Sequence, residues 1–243
     1  MDLENKKREI ITAFQALKFE EDRHIYSVDG RTLKYSVSGI IKRYANPFNA
    51  NKIAPYSAKK EGLSVEQVLK NWRQANRESI KIGNAAHLFG EKYMFDRTLV
   101  PQTGYDQAIK KFWDEIPDFL IPVFAELKTY HKTRFYAGTI DIVLYNTLNN
   151  SWVLADYKTN KDLFKNYKGQ MLRGKFSDLL DTPFNKYQIQ LNYYKELIEQ
   201  VPEINISKMK VVWIKPTGEY ELYDCGDYSE RIKKKVKLSN RWS

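Results

Sequence analysis

FYAGTIDIVLYNTLNNSWVLADYKTN, residues 135–160, is the stretch on which the reading of the whole chain turns. Two apolar, β-branched runs, 139–145 and 152–158, flank a polar patch at 146–151, the pattern of an antiparallel hairpin with a short loop. If the loop is symmetric, Tyr145 faces Trp152, and the same register carries Asp141 opposite Asp156. Facing residues have Cβ atoms about 5 Å apart. Two carboxylates that close repel unless a proton or a cation lies between them, so a divalent metal is the expected occupant. Side chains alternate along a strand, which puts Trp152, Leu154, Asp156 and Lys158 on one face and Val153, Ala155 and Tyr157 on the other. The first face is apolar near the turn and charged at its end, as expected of a strand leaving a core for a cleft. An ammonium at Lys158 beside the carboxylates could hold an attacking water or stabilise negative charge on a phosphate. The competing reading is a surface cluster of common charged residues at a hairpin end.

Composition narrows the field. The chain has 243 residues, with 40 Lys and Arg against 30 Asp and Glu, a net charge of +10. A basic balance favours polyanions as partners. No apolar run approaches the roughly 20 residues of a spanning helix, and the N-terminus lacks the apolar region of a signal peptide, so no membrane partner is expected. Cys225 is the only cysteine, which excludes disulfides and four-cysteine zinc or iron–sulfur sites within the chain. A reducing compartment, the cytoplasm, is the expected location.

Working outward, residues 1–18 have the spacing of a short amphipathic helix through Ile10, Ile11, Phe14 and Leu17. Asp29-Gly30 signals a hairpin, read as peripheral packing with a nucleic-acid entrance as the alternative, that leads into a helix from about Ser38. Pro47 interrupts, helix resumes around 53–61, and Ser64 opens another helix through Val65, Val68, Leu69 and Trp72 toward residues 80–95. That last segment carries His87 and Glu91 one turn apart, able to ligate a metal together or to act as ligand and orienting partner. Small residues Ala85, Ala86 and Gly90 would let it approach a sheet closely. A helix over 102–113, a strand over 123–130 with a sheltered Glu126, and the hairpin follow. Beyond Lys158, a loop interleaves Lys161, Lys165, Lys168, Arg173 and Lys175 with Phe164, Tyr167 and Phe176, a composition suited to gripping backbone and stacking bases. Asp181-Thr182-Pro183 starts a helix on which Gln190 and Tyr194 project together; strands at 209–214 and 220–223 and a basic tail or helix at 225–243 complete the chain.

Taken in order, helix (His87, Glu91), strand (Glu126), strand (Asp141), strand (Asp156, Lys158), helix (Gln190, Tyr194) and strand, the chain resembles the PD-(D/E)XK nuclease superfamily. The detailed likeness is to its RecB-like and phage-exonuclease branch, which includes the mitochondrial genome-maintenance exonucleases. The motifs are Gly83…His87-x-x-x-Glu91, Gly138-x-x-Asp141, Asp156-Tyr157-Lys158 with Thr159 after it, and Gln190-x-x-x-Tyr194. They cover about 80–214. Asp156 stands where Glu is commoner.

That resemblance implies an α/β fold with a restriction-endonuclease-like αβββαβ core, a mixed sheet flanked by helices. A mostly helical extension at 1–79 would pack on a core at 80–224. It implies Mg²⁺ or Mn²⁺ held by His87, Asp141, Asp156 and the Tyr157 carbonyl, with Glu91 and Glu126 as auxiliary candidates and no iron–sulfur cluster. Asp141, Asp156 and Lys158 would be catalytic. Gln190, Tyr194, Thr159, Lys161, Lys165, Lys168 and Arg173 would contact DNA, single-stranded or at duplex ends. The expected function is a metal-dependent deoxyribonuclease, an exonuclease rather than an endonuclease, in recombination, repair or phage genome processing in a bacterial or phage-infected cell. The rivals are a catalytically idle nucleic-acid-binding protein on the same fold and a restriction-type endonuclease.

Overall fold

The computed structural model describes residues 2–20, 23 and 25–234. Helix α1 (Leu3–Phe14) starts at Asp2, whose carboxylate accepts the Glu4 N–H, and buries Ile10 and Phe14. It is shorter than the apolar spacing suggests. Ile11 is exposed, and Leu17 already belongs to β1 (Leu17–Glu20). Strand β2 (Ile25–Val28) pairs with β1 and turns through Asp29-Gly30 into β3 (Arg31–Thr32), a small separate sheet. Both turn residues are left-handed, at φ 50° and 76°, which is why Asp-Gly suits a two-residue hairpin loop.

Next come β4 (Tyr35–Ser36), α2 (Val37–Tyr44) and α3 (Ala50–Glu61). The Ser64 side chain caps α4 (Val65–Phe95), whose 31 residues make a helix about 46 Å long. The boundary expected between residues 79 and 80 falls inside this continuous helix. A capping box of Thr103 and Asp106 starts α5 (Gly104–Asp114). Strands β5 (Leu120–Tyr130), β6 (Tyr136–Asn146) and β7 (Ser151–Lys158) follow, then α6 (Pro183–Ile198), entered at Thr182 with Pro183 in its first turn. Strands β8 (Ile206–Ile214) and β9 (Tyr220–Asp224) and helix α7 (Ser229–Lys233) finish the described chain. Of the expected basic tail at 225–243, residues 235–243 lie outside the described residues. Among those described, no helix is long and apolar enough to cross a membrane.

The fold is α/β: a mixed six-stranded sheet flanked by helices, with an N-terminal helix. The expected αβββαβ order is met by α4, β5, β6, β7, α6 and β8, with α5 inserted. On one face, Ile140, Leu154 and Val211 pack with Ile10 and Phe14 of α1, Val37 and Ile41 of α2, and Leu191 of α6. On the other, Ile142, Val153, Ala155 and Tyr157 pack with α4 and α5. The alternation expected for β7 holds: Trp152 and Leu154 belong to the first face, Val153, Ala155 and Tyr157 to the second.

Sheet topology creates one opening. Strand β6 pairs with β5 along nearly its whole length, Ala137 to Asn146. Its other edge pairs with β7 only from Asn146↔Ser151 to Ile142↔Ala155, and with β4 only at Tyr136 and Ala137. On that edge residues 138–141 have no strand beside them. The register is the one expected, with Tyr145 facing Trp152, but pairing ends one step before Asp141 and Asp156 would meet.

Candidate active site

The opening in the sheet is where the charged residues gather. Asp141, just past the last pair, turns its Oδ2 to accept the Tyr157 N–H at 3.1 Å. That bond carries the two strands across the gap that ladder pairing leaves. The same oxygen lies 3.1 Å from His87 Nδ1, and Glu126 Oε1 lies 3.6 Å from that nitrogen. One ligand atom from each of His87, Glu126 and Asp141 fits within 4.8 Å of the others.

Local structure explains why these three converge. Helix α4 packs on the sheet through Ala86 and Gly90, which follow the face of His87, and a Cβ on Gly90 would stand 2.5 Å from the Tyr157 ring. No larger residue fits there. Ala85, expected to share this contact, is exposed instead. The Tyr157 ring is anchored further by its hydroxyl, which accepts the Trp113 indole N–H at 2.6 Å. Its carbonyl takes His87 Nε2 at 3.1 Å. The residue between the motif's Asp and Lys therefore ties α4, α5, β6 and β7 together with one side chain and two backbone groups.

Glu126 reaches the site by a backbone distortion. Ala125 pairs with Ile142 and Leu127 with Ile140, which puts Glu126 opposite Asp141, and its φ is 49°. A non-glycine residue with positive φ inside a strand is uncommon, and such strain concentrates at functional sites. The twist breaks the alternation, so that Ala125 packs with the α4 side of the sheet and Leu127 with the α6 side.

A second group sits on the α6 side. Lys158 forms an ion pair with Asp156, and its ammonium lies 4.6 Å from the centre of the Tyr187 ring. Gln190 Nε2 donates to Asp156 Oδ1 at 3.5 Å and to the Tyr194 hydroxyl at 2.8 Å. Tyr194 is buried, packed where a Cβ on Gly138 would stand 2.6 Å from its ring. The glycine of Gly138-x-x-Asp141 is thus a packing requirement. At Gly83 the nearest atom to such a Cβ is Thr159 Oγ1 at 3.7 Å, an ordinary contact.

Electrostatics set the two groups apart. Burial alone would lower the His87 pKa, but Asp141 and Glu126 outweigh it and hold the ring up at about 9. Burial, then Asp141, push Asp156 up to about 6 against the pull of Lys158 and His87. Lys158 loses from burial and gains more from Asp156 and Asp141, so its pKa is raised and it stays charged.

Of the residues the sequence singles out, His87, Glu126 and Asp141 form one cluster and Asp156, Lys158, Gln190 and Tyr194 a neighbouring one. Glu91 lines the same cleft but stands outside the ligand cluster, as does Asp156. The cleft has a volume of about 760 Å³. Part of its wall comes from the N-terminal hairpin and the start of α2: Phe19, Tyr26, Ser36 and Ser38. The Tyr26 and Thr139 hydroxyls lie 2.9 Å apart. Of the two readings of this hairpin, the structure has it line the cleft. Tyr187 is a member that no motif flags; its separation of three from Gln190 on one helix is the signal that could have found it.

In the loop between β7 and α6, Lys161, Lys165, Lys168 and Arg173 are exposed, and no carboxylate among the described residues pairs with the three lysines. The aromatic half of that expectation is different. Phe176 is fully buried, and Phe164 packs at 5.3 Å and 5.1 Å from the Phe184 and Tyr223 rings. Phe164 keeps part of its ring exposed despite these contacts, and Tyr167 points outward, with the Lys168 ammonium 5.4 Å from its ring centre.

No known family matches this chain, and no curated protein matches it. Among solved structures it is similar to one described as the crystal structure of SSO0001, at 14% identity over 93% of this chain and 78% of that one, with a TM-score of 0.36. A likeness at that score carries no argument about function.

Proposed function

We propose that the protein is a Mg²⁺- or Mn²⁺-dependent deoxyribonuclease, an exonuclease in DNA recombination, repair or phage genome processing. The motifs ally it with the RecB-like branch of the PD-(D/E)XK nucleases. The observation that carries this reading is the convergence of His87, Glu126 and Asp141 at the gap in the sheet, with the Asp156–Lys158 pair beside them.

One imidazole nitrogen and two carboxylates suit a hard divalent cation, and the nitrogen favours Mn²⁺ as well as Mg²⁺. Such an ion supplies Lewis-acid activation of water and phosphate. The chain's own residues do the rest. Asp141 and Glu126, with His87, would hold the ion, whose charge would offset theirs toward an incoming phosphodiester. Tyr157, through its carbonyl, orients the His87 ring. Asp156 keeps Lys158 protonated and close, and the ammonium stabilises negative charge as it builds on the phosphate oxygens. Gln190 holds Asp156 in place. Lys161, Lys165, Lys168 and Arg173, with Thr159, supply backbone contacts on the exit side of β7.

The direct test is incubation with end-labelled linear and closed-circular DNA in Mg²⁺, Mn²⁺ or EDTA. Loss of mononucleotides from linear DNA alone, abolished by EDTA, is the expected result. Cutting of the closed circle would replace exonuclease by endonuclease, and no cutting with either ion would overturn the reading. Binding without cleavage would leave the idle nucleic-acid-binding alternative.

A further inference from the structure

Away from the cleft, at the other end of α2, lies a pocket of about 640 Å³ with no part in the site described. Arg43, Lys175, Arg231 and Lys234 line it with a single carboxylate, Asp178, which is paired to Arg231 at 2.7 Å. The C-terminal dipole of α2 accounts for a cation at Arg43. It does not account for four converging from α2, the turn at Gly174–Phe176 and α7. Lys175 is half-buried between the Phe176 and Tyr193 rings, its ammonium 5.8 Å and 5.5 Å from their centres. It donates to the Ile232 carbonyl at 3.2 Å, and no carboxylate among the described residues pairs with it. Burial, then the nearby Arg134, hold its pKa below the ordinary lysine value. The carboxylate that acts on it, Glu196, is taken up by Arg134 at 2.8 Å, and a half-desolvated cation so placed is where an anion gains more than it would at an open surface.

The pocket is linked to the cleft. Ser36 and Ser38, at the start of α2, line the cleft, and Arg43 and Tyr44, at its end, line the pocket. Eight residues of helix span about 12 Å. Along that path Tyr35 carries cations on its ring, with Lys34 at 5.3 Å and the Arg43 guanidinium at 5.1 Å. Lys34 and Arg43 thus place positive charge beside Tyr35, between the cleft and the pocket.

We infer that this pocket is a second subsite for the DNA phosphodiester backbone, holding a phosphate a few nucleotides from the one in the cleft. The inference rests on the nuclease reading and adds the course of the strand across the surface. Its chemistry is that of any phosphate, so the test separates backbone from free ion.

Single-stranded oligonucleotides of increasing length are titrated in Ca²⁺, by fluorescence anisotropy, into wild-type protein, Lys175→Gln, and the exposed pair Arg43→Gln/Lys234→Gln. The pair guards against misfolding at Lys175, and thermal melting checks both. Oligonucleotides long enough to span cleft and pocket are expected to bind about tenfold more weakly to the variants. Dinucleotides, which reach only the cleft, are expected to bind as before. For the long strands the slope of log affinity against log salt should fall by about 0.7 for each phosphate no longer neutralised. Inorganic phosphate at constant ionic strength should compete weakly with long strands only. Equal length and salt dependence in variants and wild type would overturn the subsite while leaving the nuclease reading standing. Wild-type protein that binds no oligonucleotide of any length would overturn both. Phosphate that displaces dinucleotides and long strands alike would reduce the pocket to a general anion site and overturn the strand path.

Discussion

Near its turn the β6–β7 hairpin pairs from Asn146↔Ser151 to Ile142↔Ala155, and every β7 side chain in that stretch is buried. One residue further the strands have parted. Asp141 there accepts a backbone N–H instead of sitting in a ladder, and Asp156 is buried against a lysine. The two ends share strands, sheet and neighbouring helices, and they differ in what burial does. At the turn, removing Trp152 and Tyr145 from water stabilises the fold. At the open end, removing carboxylates from water costs free energy, and the cost appears as an Asp156 pKa pushed up to about 6. Strain at Glu126 adds to that cost. The turn end makes the molecule stable enough to carry the other.

The strongest way to break this comparison is to truncate both ends. Trp152→Ala, at a position with no exposure, is expected to lose about 3–5 kcal/mol in urea unfolding. Asp141→Asn keeps an acceptor for the Tyr157 N–H and, measured above pH 9 where the His87 ion pair no longer contributes, is expected to lose only about 1 kcal/mol. Similar losses would mean that the open end is structural.

The next effect is on rate. Lys158→Ala removes a charge that acts mainly in the transition state, worth about 3 kcal/mol or two to three decades in single-turnover cleavage. Mn²⁺ affinity, measured by calorimetry, should change far less, because an ammonium does not ligate a cation. Lys158→Arg should not restore the rate, since the guanidinium is planar and spreads its charge. Near-wild-type cleavage by Lys158→Ala would remove the lysine from the mechanism.

A smaller effect sharpens the electrostatic side. His87 has a folded pKa of about 9 against an ordinary 6.5. Its contribution to the stability of the metal-free protein is therefore full below pH 6.5 and is lost as pH rises through about 9. A metal on the ring must displace that proton. Mn²⁺ affinity should therefore rise by about one decade per pH unit between 7 and 9 and then level off, a slope that His87→Ala should abolish. A flat profile in the wild type would take His87 out of the ligand set.

The smallest expected change is in stability at Glu126. Glu126→Gly relieves a left-handed backbone, so unfolding free energy should stay within about 1 kcal/mol of wild type. Mn²⁺ affinity should weaken in the same variant. A marked loss of stability would show that the Glu126 side chain, and not the backbone geometry, holds that part of β5 together.

Much of this was legible in the chain. The apolar runs 139–145 and 152–158 around the polar patch 146–151 specified the hairpin, and the symmetry of its loop specified the register, because pairing proceeds outward from Tyr145 and Trp152. Asp-Gly at 29–30, Ser64 and Thr182-Pro183 marked a turn and two helix starts, because their backbone and capping demands are local. The candidate residues themselves could be named from motif spacing. Which of them meet could not. Asp141 and Asp156 share a register, yet strand separation sends one to His87 and Glu126 and the other to Lys158 and Gln190. Glu126 joins through a positive φ that nothing in its neighbours Ala125 and Leu127 encodes. The hairpin at 17–32 closes the cleft because β4 pairs beside β6, a strand about a hundred residues away in sequence. Periodicity, caps and turns act over a few residues and can be read directly. Grouping of charges and the course of a cleft depend on how distant elements pack, and only the tertiary structure decides them.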